Sequence, residues 1–300
     1  MEDRIIKLID EKGPLTGTEI IDVIGGEPIR VWRTCKLSKD LDIRSVGTKY
    51  LRLDRRIEGF GRLSPSILRE FLTYSVTGLV RDPSLIEKKA ASLISHIERV
   101  SRAKSDLAYR IISTMADRVG ELRVKEEACF IIAGDIVFNM AHDIPRPERS
   151  TGKLVKGSDM DIVVVVDDKF PKRIMKRLDD EIYREKYNYL INPYLLEEID
   201  YIVKYLNRVR EQIKFDTFSH MVACKILREG TFLYGSEDLF HALKVMLRDN
   251  GVIEKLDEME EGAKLFRGKA EEFLLAEDPE RIKQESLNLF YPTEESEEFV

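Results

Sequence analysis

Sulfur is scarce in this chain and scattered: Cys35, Cys129 and Cys224 are the only three cysteines in 300 residues. An odd number of distant thiols builds neither a disulfide framework nor a clustered zinc site, so reduced, structural thiols are expected. Missing too is any apolar run long enough to span a bilayer, and the charged opening MEDRIIKLIDEKG lacks the apolar core of a secretory signal. The expected setting is the cytoplasm, with no membrane partner. Nor is there an excess of positive charge. The 49 Lys and Arg residues face 55 Asp and Glu, a formal charge of -6. That balance excludes a surface given over wholly to nucleic acid and leaves room for a local basic patch. Apolar residues, by contrast, make up 43% of the chain, enough to fill the cores of more than one domain.

The first sixty residues read as a small module. An apolar pattern at Ile5, Ile6, Leu8 and Ile9, then LTGTEIIDVIGG and EPIRVWRTCKLSKDL, predict three short helices separated by turns. The following IRSVGTKYLRLDRRIEGFGRLS, with its β-branched start and glycine breaks, predicts a hairpin. Together they suggest a winged helix-turn-helix over residues 1–63. Residues 28–62 hold ten Lys or Arg (Arg33, Lys36, Arg52 and Arg55 among them) against Asp40, Asp42, Asp54 and Glu58. Such a stretch can contact the phosphates of DNA or RNA, and three-helix modules also dock proteins. Residues 64–122 read as a helical connector: a helix beginning near Pro65 and ending at Gly78, then one or two long helices on the stripe Leu93, Ile97, Val100, Ile111, Met115 and Val119.

The period changes at EEACFIIAGDIVFNMAHD. Residues 128–133 read as a buried strand, Gly134 permits a tight turn, and IVFNMA reads as a helix start. A second strand is expected from Asp159 through Val166, beside the first. Period two sets Asp159 and Asp161 on one face of it. Paired carboxylates repel when ionised, and a divalent cation offsets that repulsion by taking their oxygens as hard ligands. An Asp-x-Asp pair alone is common on surfaces. Here Gly157 and Ser158 add a tight turn and a hydroxyl just before the first acid.

FIIAGD followed by KGSDMDIVVVVDD, with the later IKFD, resembles the nucleotidyltransferase superfamily, the fold of DNA polymerase beta-like enzymes and of small nucleotidyltransferases. The resemblance covers about residues 85–245 and implies a mixed α/β or α+β sheet flanked by helices. It implies that Asp159 and Asp161 are catalytic ligands of Mg2+ or Mn2+, and that an NTP, ATP among the candidates, is the substrate. Gly134, Asp135, Gly157, Ser158, Lys153 and Lys156 would then line the nucleotide, and an NMP group would pass to an acceptor hydroxyl as pyrophosphate leaves. Asp135 departs from the serine usual at that place. A carboxylate there repels a triphosphate, which keeps open the alternative of an inactive nucleotidyltransferase-like regulator that binds nucleic acid.

Two acids compete for the third position. Leu195, Ile199, Ile202, Leu206 and Val209 follow helical spacing, which puts Asp200 on a helix, whereas IKFDTF reads as a short strand ahead of a helix. Asp216 is therefore the preferred third metal-binding and catalytic acid. The loop DIVFNMAHDIPRPERSTGKLVK carries Arg146, Arg149, Lys153 and Lys156, which can close over phosphates. The catalytic-type domain is expected over residues 123–235. A helical C-terminal region, 236–300, ends in an acidic tail suited to a protein partner or to the basic patch.

Overall fold

The turn residues and apolar stripes of the first forty positions produce three helices, α1 (Glu2–Lys12), α2 (Gly17–Ile24) and α3 (Pro28–Leu37). The computed structural model describes residues 1–148 and 151–290. α2 opens on a reciprocal cap: Glu19 N–H donates to Thr16 Oγ1 (3.3 Å) while Thr16 N–H donates to Glu19 Oε2 (2.7 Å), so two otherwise unbonded donors are satisfied. α3 has Pro28 in its first turn, where the missing N–H costs nothing. Next come β1 (Leu41–Ser45), β2 (Tyr50–Leu53), β3 (Gly61–Ser64), α4 (Ile67–Thr73) and β4 (Ser75–Leu79). β2 and β3 form an antiparallel hairpin, and β1 pairs antiparallel with β4. The helix expected to run to Gly78 instead stops at Thr73. Residues 75–79 extend along β1, and Gly78 lies opposite Asp42, where a Cβ would overlap Ile86. α5 (Pro83–Val119) is a single helix.

Two compact units divide the chain: Met1–His96 with the chain from Met259 onward, and Ile97–Glu258. The second unit holds most of α5, then α6 (Leu122–Glu127), β5 (Ala128–Ala133), a 3-10 turn over Gly134–Phe138, β6 (Pro145–Pro147), β7 (Leu154–Lys156) and β8 (Met160–Val166). It continues with α7 (Lys172–Ile191), β9 (Ile199–Tyr205), α8 (Leu206–Gln212), α9 (Phe218–Glu229), β10 (Thr231–Gly235), α10 (Glu237–Asp249) and the start of α11 (Val252–Ala276). Its mixed sheet has the order β10-β5-β8-β9. β5 runs antiparallel to β10 and β8, while β8 and β9 are parallel, joined through α7. The two apolar runs are thus sheet neighbours, with Ala128 opposite Val166 and Ala133 opposite Asp161. Alternation sorts the residues. Phe130, Ile132, Ile162, Val164 and Ile199 pack with Ile112 and Met115 of α5 and Leu178 and Ile182 of α7, while Asp161 and Asp200 belong to the other face.

In the first unit the core joins residues from both ends of the chain. Ile5, Ile9, Ile20, Val31, Trp32 and Phe71 pack with Leu274, Ile282 and Phe290, and the rings of Trp32 and Phe290 lie 5.4 Å apart. Arg33 donates to the carbonyls of Leu274 and Glu277, Arg30 pairs with Glu280, and Lys283 pairs with Glu27. Two residues of the basic 28–62 stretch are thus engaged by the C-terminal segment, Arg30 through a carboxylate and Arg33 through backbone carbonyls. The acidic residues beyond Phe290 lie outside the described residues, as does Arg149. All three cysteines are buried and free; burial pushes Cys35 and Cys129 up to about 12 and Cys224 to about 11, which keeps the thiols protonated. No helix among the described residues is long and apolar enough to cross a membrane.

Candidate metal centre

The centre forms at the N-terminal end of β8. Parallel pairing sets Asp161 directly beside Asp200 of β9, and antiparallel pairing sets Ala133 on its other side. Gly134 follows immediately, with φ +73, and a Cβ there would overlap Asp161 Oδ2. Only glycine meets both demands, the left-handed backbone and the close approach. Gly157 is the counterpart before Asp159. Its φ is +66 and an added Cβ would overlap the His142 carbonyl, which accepts the Ser158 N–H at 3.0 Å.

One carboxylate oxygen each from Asp159, Glu198 and Asp200 lies within 4.8 Å of the others, a grouping that can hold a cation. Asp161, half-buried in the same row, has its pKa raised well above the usual carboxylate value by burial, then by the charges of Asp159, Asp200, Asp135 and Glu229. Burial likewise pushes Glu198 up to about 7; Arg146 opposes the shift and Asp159 and Asp200 add to it. Glu229 is raised by burial although Lys225 contacts it at 2.6 Å, and its Oε1 accepts the Gly134 N–H at 3.4 Å.

Cations answer this charge only in part. The buried Arg146 of β6 sits 2.8 Å from Glu198 Oε2 and 3.8 Å from Asp159 Oδ1, and its Nε donates to the Gly157 carbonyl at 2.9 Å. Lys186 of α7 reaches Asp200 Oδ1 at 2.6 Å. With oxygen donors alone and an incomplete complement of positive side chains, the cluster fits a hard divalent cation such as Mg2+ or Mn2+.

The other sequence-derived positions fall as follows. Asp135 is in the 3-10 turn Gly134–Phe138, which takes up the start of the helix expected from Ile136, and its Oδ2 accepts the Ser158 hydroxyl at 2.9 Å. That bond ties the carboxylate to the turn preceding Asp159. Lys156 Nζ donates to the Tyr194 carbonyl (3.1 Å), while its own carbonyl accepts from the buried Lys104 (2.7 Å). Lys153 is exposed in the β6–β7 hairpin. His142 is buried beneath the glycine turn.

Asp216 stands apart from the grouping. No strand forms at residues 213–218: Phe215 takes φ +58, and Thr217 caps α9 by accepting the His220 N–H at 3.2 Å. Asp216 Oδ1 lies 2.6 Å from His220 Nδ1, and this hydrogen bond lowers its pKa. The strand lies earlier, at Ile199–Tyr205, where a helix was expected. The sheet thus brings Asp200, not Asp216, to Asp159 and Asp161, and adds Glu198. Signals for both were present: Ile199, Tyr201, Val203 and Tyr205 alternate with Asp200 and Lys204, and Glu198 is one strand period before Asp200.

No family model matches this chain, and no characterised protein or solved structure shows significant similarity to it.

Proposed function

We propose that this protein is a metal-dependent nucleotidyltransferase, moving an NMP group from an NTP, with ATP among the candidates, to an acceptor hydroxyl. The observation that carries the reading is the row Asp161–Asp200 with Asp159 and Glu198 beside it, set against two left-handed glycine turns. Asp159, Asp161 and Asp200 would hold Mg2+ or Mn2+, which supplies charge stabilisation to a triphosphate and its leaving group. Asp200 takes the third-acid role in place of Asp216. Gly134 leaves room for the Asp161 carboxylate and Gly157 for the His142 carbonyl, which lets the two turns close tightly around the acids. Arg146 offsets part of the charge of Asp159 and Glu198, and the Ser158 hydroxyl ties Asp135 to the turn before Asp159. In the transfer, the acceptor oxygen bonds to the α-phosphorus, the bond from that phosphorus to the oxygen bridging to the β-phosphate breaks, pyrophosphate departs, and Asp200 accepts the hydroxyl proton. In the same reading, the three helices and hairpin of the first unit form a winged-helix-type module.

The test is NTP binding by calorimetry with and without Mn2+, followed by transfer of labelled NMP in cell extract. Asp159→Ala and Asp161→Ala should each abolish the metal-dependent part of binding. Asp200→Asn should lower transfer by at least about a hundredfold, the scale expected when one charge-stabilising group is lost, while Asp216→Asn stays close to the parent. Metal-independent binding in all variants would remove the metal role, and loss of transfer in Asp216→Asn alone would return the third-acid role to Asp216.

A further inference from the structure

α7 carries an exposed aromatic stripe that its own packing does not explain. Its buried face is Ile174, Leu178, Ile182 and Leu190. On the outer side Tyr183 is 62% exposed and Tyr187, one helical turn on, is 53% exposed; Tyr194, just past the helix end, is 86% exposed. Three large rings within twelve residues lose their contact with water only if something covers them.

Two further features say what that something is. The first turns of α7 hold Lys172, Arg173, Lys176 and Arg177 before any acid. Cations at a helix N-terminus oppose the helix dipole, so this placement weakens the helix and gains only from an anionic partner. Arg173 is almost fully exposed, its nearest carboxylate, Glu121, being 4.0 Å away. The stripe also runs into the metal centre. Lys186, next to Tyr187, contacts Asp200 at 2.6 Å, and the carbonyl of Tyr194 accepts from Lys156, the residue preceding the Gly157–Ser158–Asp159 turn. From Tyr187 the outer side of α7 passes Tyr183, then the exposed Asp179 and Asp180, and ends about 22 Å away on the cations Lys172, Arg173, Lys176 and Arg177.

We infer that the acceptor is a single-stranded nucleic acid whose terminal bases stack on Tyr194, Tyr187 and Tyr183 and whose upstream phosphates meet Lys172, Arg173 and Lys176, so that its end hydroxyl is presented to the Asp159–Asp200 cluster. This rests on the transfer reading for its consequence but not for its detection. Rings interleaved with bases bind such strands with little sequence preference, because every base has a flat face and every link a phosphate.

The experiment is fluorescence anisotropy of labelled mixed-sequence 12-nucleotide RNA and DNA strands with the full chain, in EDTA and without NTP, so that failure of metal chemistry leaves it unaffected. Parent protein should bind one or both strands with salt-sensitive affinity, the preferred sugar identifying the acceptor. Tyr183→Ala, Tyr187→Ala and Tyr194→Ala combined should weaken binding by at least about tenfold, given the usual worth of a base–aromatic stack. The three Tyr→Phe changes should restore it, and Tyr109→Ala, an exposed ring on α5, should leave it unchanged. Parent-level binding by the triple alanine variant, or no binding of either strand by the parent, would overturn the inference, the second outcome assigning the stripe to a protein partner.

Discussion

At Gly134 the backbone comes so close to Asp161 that any side chain would occupy the space of the carboxylate. Gly120, in the same unit with φ +68, faces open space, only ordinary contacts lying near its missing Cβ. The pair separates backbone strain from displacement of the acid. Gly120→Ala should cost about 1–2 kcal/mol in urea unfolding from left-handed strain alone. Gly134→Ala should cost about 1–3 kcal/mol, and it alone should weaken Mn2+ binding, because Asp161 must move. Equal metal affinity in the two variants would separate Gly134 from the carboxylates. At this scale much of the centre was legible in the sequence: Gly134, Gly157, Asp159 and Asp161 are local, and short turns flanking a β-branched run reveal them. For Glu198 and Asp200 the local alternation of a strand was there to read, but their place beside Asp161 was not, since it comes from pairing across a long crossover.

For whole elements the instructive case is β9. The spacing Leu195, Ile199, Ile202, Leu206 satisfies a helix, yet residues 199–205 extend because β8 offers a free edge whose hydrogen bonds and apolar face outweigh local periodicity. β9 also buries Lys204, whose Nζ donates to Gln212 Oε1 of α8 at 2.8 Å. Burial lowers this lysine to about 8, below its ordinary 10.5. The folded state therefore sheds a proton that the unfolded chain still holds between those values, and the lysine's contribution to stability rises with pH across that window. Relative to Lys204→Met, the parent should gain melting temperature between pH 8 and pH 10, by about 2–4 °C for each kcal/mol recovered. A gap that stays constant from pH 7 to pH 10 would mean the ammonium is solvated. β5 and β8 were legible as strands because their apolar runs are short, uninterrupted and bounded by glycine or acid.

In the molecule as a whole, the first unit is discontinuous, formed from residues 1–96 and from the chain after Met259. Its three N-terminal helices were legible from their apolar stripes and the turns between them. Their closure by Leu274, Ile282 and Phe290 was not, because nothing local in an acidic helical segment tells which distant core its few apolar residues will join. The contribution is measurable. Phe290→Ala should destabilise the first unit by about 3–5 kcal/mol, the usual loss for a buried ring, seen as early quenching change of the single Trp32 in urea. An unfolding curve by Trp32 fluorescence identical to the parent's would show that the ring is dispensable.

The two-ended core also sets an order of events during synthesis. The ribosome delivers residues 97–258, complete in their own contacts, before the segment holding Ile282 and Phe290 emerges. The three N-terminal helices must wait with Trp32 uncovered until Ile282 and Phe290 have been synthesised. A transcript cut short before codon 282 would thus yield a chain with a finished carboxylate cluster and an unfinished N-terminal module, a defect that a cell can recognise by its exposed apolar surface. Arrival of the segment carrying Leu274, Ile282 and Phe290 is what seals the module.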